Sequence, residues 1–207
     1  MNDAFASARP DHERLFEVAS EQSGYFTAAQ AGACGFSRPL LSHHARAGGR
    51  FIRVRHGLYR LREYPSSPRE DVIAAWITAD RDVAVVSHES ALDLLDLSDV
   101  VPEAVHLTVP RSKRYRRRMP GIAIHTTTRP PGPRDVVVRD GIRVTSAERS
   151  IVDAAEGGTA PDQVARAVTQ ALERGMTTEA RLLAAAQQRS RRVERLVRLA
   201  LRGLAGA

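Results

Sequence analysis

Arg38, Ser42 and Arg46 recur at every fourth position with His43 beside them, and Arg50, Arg53, Arg55 and Arg60 follow shortly after. On a helix, fourfold spacing places the first three on one face. Arginine's planar fork pairs bidentately with guanine or with a phosphate, and a serine hydroxyl or an imidazole adds shorter hydrogen bonds. The chemistry this set can do is recognition of a polyanion. Between Tyr25 and Arg62 stand seven arginines and no Asp or Glu. Because arginine stays charged at neutral pH, the segment carries a fixed positive potential. The plain alternative is a solvated basic surface, but such surfaces mix both signs.

A second run, Arg111, Ser112, Lys113, Arg114, Tyr115, Arg116, Arg117 and Arg118, packs six basic side chains into eight residues. It reads as another contact for phosphates, with Tyr115 able to stack on a base or touch a sugar, or as a simply solvated loop. Ser87, His88 and Glu89 are the types a hydrolase uses, yet consecutive side chains point apart and cannot align nucleophile, base and orienting acid. Their expected work is local: Ser87 and Glu89 capping a helix, His88 making a nearby hydrogen bond. An acid followed by Glu-x-Lys, as many nucleases need, is absent around Lys113, and Asp80-Arg81-Asp82 lacks the Gly-Ser turn of a nucleotidyltransferase. The seven histidines show no zinc-like spacing with cysteine, and the adjacent His43 and His44 make a poor chelate. Cys34, the single cysteine, reads as a small buried residue. No catalytic residue, metal ligand or cofactor is expected.

The elements that would position these groups follow from local signals. Residues 11 to 20 predict a helix with an apolar stripe of Leu15, Phe16 and Ala19. Thr27 caps a short helix through Ala33 that Gly35 ends, and Ser37 caps a third, with Pro39 in its first turn, running to about Ala47. Leu41 and Ala45 face the core. Gly48 and Gly49 stop the helix, and Phe51 to Arg60 alternate around His56 and Gly57 as a β-hairpin. Three helices followed by a basic hairpin predict a winged helix-turn-helix over residues 1–64, in which the third helix enters the major groove and the hairpin follows the backbone.

Pro65-Ser66-Ser67-Pro68 predicts a linker, and residues 65–207 an α+β domain with a helical C-terminus. Ser67, Pro68 and Glu70 open a helix that buries Val72, Ile73, Trp76 and Ile77. Short strands follow at Val83 to Val86, Ala104 to Val109 and Gly121 to Thr127. A hairpin turns at Asp140-Gly141, and Thr145 with Glu148 forms a capping box for the next helix. The last helix sets Val193, Leu196, Val197, Ala200 and Leu201 against Arg191, Arg195, Arg198 and Arg202. At 207 residues and 43% hydrophobic content the chain can bury a sizeable core. Its net charge of +7, with Lys113 the only lysine, favours an acidic partner. The longest apolar run, Val72 to Ile77, is far short of the roughly 20 residues that span a bilayer, and Met1 to Pro10 lacks a signal pattern. A cytoplasmic, membrane-free protein is expected.

Several ordered blocks carry a family resemblance: Gly24 to Ala31, Ser37 to Leu41, Val54 to Arg60, Pro68 to Asp71, Ser87 to Leu92, Leu97 to Asp99 and His106 to Pro110. Over residues 12 to 180 the chain resembles the AbiEi family of type IV antitoxins. That resemblance implies a repressor that binds inverted repeats of double-stranded DNA in its own promoter, as a monomer or a dimer. It also implies a nucleotidyltransferase-like toxin as functional partner, neutralised without a stable complex. A stand-alone winged-helix regulator would share nearly every DNA-binding feature, and a nuclease is the remaining alternative.

Overall fold

The computed structural model describes residues 9–113 and 119–205, which divide into two compact units between Thr78 and Ala79. In the first, α1 (His12–Ser20) starts where Asp11 accepts from the Arg14 amide at 2.9 Å. Its Leu15 and Ala19 are buried, but Phe16, expected in the same stripe, is 56% exposed because it lies one position off the buried face. The strand β1 (Tyr25–Thr27) leads directly into α2 (Ala28–Ala33), where Thr27 caps as expected and Gln30 reaches back to complete a reciprocal capping box. A turn through Cys34 and Gly35 separates α2 from α3 (Arg38–His44), and Ser37 caps α3 by accepting from the Leu40 amide.

The hairpin of β2 (Phe51–Arg55) and β3 (Leu58–Leu61) closes around Gly57, with a register shift between Arg53 and Arg55. Unlike the two-stranded wing expected, the sheet has three strands in the order β1-β3-β2, Phe26 standing opposite Tyr59. The extra strand buries Phe26 among aromatic rings: it meets Phe51 edge-on at 4.9 Å and stacks on Tyr59 at 5.8 Å. Leu15, Ala31, Cys34, Phe36 and Leu41 complete this core. Cys34 is thus the small buried residue its neighbours suggested.

The expected boundary after residue 64 differs from the compact unit, which runs on through α4 (Glu70–Thr78). The reason is packing. Helix α4 lies against β1, and Glu70 forms a 2.9 Å ion pair with Arg60 of β3 while its carboxylate also accepts from the Ser67 amide.

The second unit is built on a five-stranded mixed sheet ordered β6-β5-β4-β8-β7. Its strands are β4 (Val85–Val86), β5 (Val105–Pro110), β6 (Ile122–Thr127), β7 (Val136–Arg139) and β8 (Ile142–Thr145). Strands β5 and β6 run parallel, as do β4 and β8, whereas β4 with β5 and β7 with β8 are antiparallel. The β7–β8 hairpin turns at Asp140-Gly141, both at positive φ, as its sequence demands. Helices α5 (His88–Leu94), α6 (Ala147–Gly157), α7 (Pro161–Glu173), α8 (Glu179–Gln187) and α9 (Arg191–Ala205) complete the unit. Leu92, Leu107, Ile142, Ile151 and Leu182 are fully buried in it.

Two expected caps take other partners. Ser87 makes no cap on α5, and its hydroxyl instead accepts from Thr108. Glu148 pairs with Arg181 and Thr145 with Ser150, so neither caps α6; both bonds join segments that lie apart in the chain or across a turn.

Candidate nucleic-acid interface

The apolar side of α3 explains how its polar side is presented. Leu41 is anchored in the first unit's core and Ala45 packs at its edge, which turns Arg38, Ser42 and His43 outward, all exposed. The helix is shorter than its spacing suggested. Ala45 ends it, the Arg46 amide donates to His43 in a tightened last turn, and Arg46 stands exposed just beyond. Arg46 therefore belongs to the turn after the helix and not to the helical face.

The break that follows is set by its glycines. Gly48 has a φ of +76°, and a Cβ on Gly49 would lie 2.1 Å from the His44 carbonyl oxygen. This close return brings the chain into β2. Arg50 and Arg53 are exposed, Arg55 is half-buried, and Arg53 lies 3.4 Å from the His56 ring. At the base of the hairpin Arg62 donates to the carbonyls of Gly49 and Phe51, clamping strand to turn.

Arg60 departs from the expected set. It is only 6% exposed, pairs with Glu70, and donates to the carbonyls of Tyr64 and Pro65. Its guanidinium also lies over the Tyr25 ring at 5.8 Å. An arginine committed to these partners is an internal tie and cannot serve as a phosphate contact. The strand alternation that placed it with Arg53 and Arg55 was broken by the register shift and by pairing with β1 on its other side.

The protonation of nearby groups follows burial. Burial pushes the His44 imidazole below its ordinary value, reinforced by His12, His43 and Arg50, so it is a neutral ring against Phe36 and Phe51. Burial likewise raises the Tyr25 hydroxyl. The fixed positive charge of this surface is carried by its arginines.

In the second unit Arg111 and Lys113 are exposed on a single 3-10 turn that continues β5. Arg114, Arg116, Arg117 and Arg118 of the same run, with Tyr115, lie outside the described residues. The α9 arginines at 191, 195, 198 and 202 are exposed, opposite buried Val193, Val197 and Leu201, as the sequence spacing predicted. No described helix is long and apolar enough to cross a membrane.

The structure also assembles a group that chain spacing did not signal. His88, His106 and His125 converge in the second unit. The one visible hint was parity, since His106 and Thr108 alternate along a strand; the register that sets His125 beside Thr108 is a tertiary fact.

Comparison with known proteins agrees with this architecture. No curated protein matches the chain significantly. A solved structure, the crystal structure of the RV2827C protein from Mycobacterium tuberculosis, has a similar fold, with a TM-score of 0.57 at 14% identity over 90% of this chain and 74% of that one. At that identity the likeness is one of fold. A family described as "Transcriptional regulator, AbiEi antitoxin" matches residues 13–62, a shorter span than the resemblance read over 12 to 180. Residues 13–62 span the three helices and the hairpin, so the similarity to that family of transcriptional regulators lies in the first unit.

Proposed function

We propose that this chain is a sequence-specific DNA-binding antitoxin that represses its own toxin–antitoxin operon. The observation that carries the reading is the exposed polar side of α3, with Arg38, Ser42 and His43 held outward by buried Leu41, next to a hairpin bearing Arg50 and Arg53. In a helix-turn-helix the N-terminal part of the second helix meets base edges, which assigns readout to Arg38 and Ser42. His43 and Arg46 flank the groove, and Arg50, Arg53 and Arg55 hold phosphates, which fix register without reading sequence. Arg111 and Lys113 add a second phosphate-binding surface. Two half-sites of an inverted repeat would take two copies of the first unit. The toxin is nucleotidyltransferase-like and is neutralised without a stable complex, a role we assign to the second unit by its resemblance. The family match to transcriptional regulators supports the DNA-binding part of this reading.

Fluorescence anisotropy on the DNA upstream of the gene tests it. Binding should exceed that to scrambled DNA and weaken linearly in log affinity against log salt, because each neutralised phosphate releases counterions. Equal affinity for both DNAs would refute the operator reading. Rescue of growth when the neighbouring gene is induced with and without this chain tests the antitoxin role.

A further inference from the structure

We propose that His88, His106 and His125 form a binding site for a divalent transition-metal ion, zinc foremost, that pins the start of α5 to the β5–β6 edge of the sheet. One ring nitrogen from each histidine lies within 4.8 Å of the other two. A tetrahedral zinc with bonds of about 2.0–2.1 Å needs ligand nitrogens roughly 3.3–3.5 Å apart, so the rings must reorient on binding. His106 Nδ1 and His125 Nε2 are already 3.0 Å apart, whereas the His88 ring lies stacked on His125 at 3.6 Å and must turn out of that stack to direct a nitrogen at the same ion. Three imidazoles leave a fourth position for water.

The rings converge because the register requires it. Thr108 stands opposite His125 across the parallel pair, and His106 is two residues from Thr108, so all three side chains share one face of the sheet. Helix α5 packs on that face and supplies His88. His88 Nδ1 lies 2.9 Å from the Ser87 hydroxyl, which in turn accepts from Thr108 at 2.8 Å. In the tautomer whose Nδ1–H donates to Ser87, Nε2 keeps its lone pair for a cation, and the Ser87–Thr108 pair orients the ring as outer partners of metal-bound histidines do.

Two further features single out His88. It has a φ of +54°, a strained backbone for a residue with a side chain, and such strain collects at functional sites. Gly157 of α6 makes room for its ring: a Cβ there would lie 3.3 Å from His88 Cδ2. Arg149 and Arg189, the cations that reach His88, are each paired with Asp153.

Calorimetric titration of the untagged full chain, freed of metal by chelator, with zinc chloride decides the matter, with cobalt absorption reporting the ligand set. One ion per chain and a thermal midpoint that rises with zinc are expected. His106→Gln and His125→Gln should each weaken binding by at least about 100-fold, more than loss of an outer partner costs, and Ser87→Ala by about tenfold. His12→Gln should leave it unchanged. No saturable binding, or binding that the two ligand variants leave within about twofold, would overturn the site. Should those variants unfold, Ser87→Ala still decides, since unchanged zinc affinity in that variant rejects the orientation and with it the assignment.

Discussion

At the scale of single residues, arginines of one segment divide into two chemistries. Arg38 faces solvent on α3, whereas Arg60 spends its charge on Glu70 and on two carbonyls inside the first unit. The two should fail differently. Arg38→Ala is expected to cost about 1–3 kcal/mol of specific DNA affinity with little change in stability, by anisotropy and urea unfolding. Arg60→Ala should lower unfolding free energy by about 3 kcal/mol, because it leaves Glu70 and two carbonyls without their partner. An Arg60→Ala protein as stable as the parent would reinstate that residue as a surface contact. Cys34 gives a chemical check on the same core. Burial pushes its thiol up, away from the reactive thiolate, so alkylation should be slow in the folded protein and fast in urea.

At the scale of elements, the turn between α3 and the hairpin is closely packed. The Gly49 approach to the His44 carbonyl leaves no space for a side chain. Gly49→Ala is therefore expected to cost at least about 2 kcal/mol in urea unfolding and to weaken DNA binding, because relieving the clash shifts α3 against the hairpin. In the second unit, Asp153 of α6 is buried between Arg149 of its own helix and Arg189, which precedes α9. Burial raises its carboxyl while the two guanidiniums oppose that rise. Asp153→Ala should destabilise this unit by about 3–5 kcal/mol, since Arg189 loses its counter-charge and Arg149 keeps only the longer pair with Asp135 at 3.7 Å; a loss under about 1 kcal/mol would mean the pair is solvated.

At the scale of the whole molecule, the two units set where the chain can be cut. A fragment ending at Thr78 keeps α4 and the Arg60–Glu70 pair and is expected to unfold cooperatively and keep operator binding. One ending at Tyr64 loses Glu70 and the cover of β1, and should be unfolded by circular dichroism. Equal stability of the two fragments would restore the break at residue 64. The basic run beginning at Arg111 belongs to the second unit, so neutralising Arg111 and Lys113 tests whether that unit contributes to the salt slope.

Much of the local architecture was legible in the chain. The Thr27 cap, the Ser37 cap, the Asp140-Gly141 turn and the two-sided α9 each depend on groups within a turn or two of one another, and such signals survive in any tertiary setting. The clustering of arginine also belongs to the sequence, because that charge does not depend on environment. What the sequence left open were pairings across long stretches of chain. Only the folded sheet added β1 beside β3, turned Arg60 inward toward Glu70, and drew Ser87 from a helix cap to Thr108. The three histidines meet for the same reason. Spacing along a chain fixes which face a side chain takes on its own element, while the parallel register of β5 and β6 decides which faces come together.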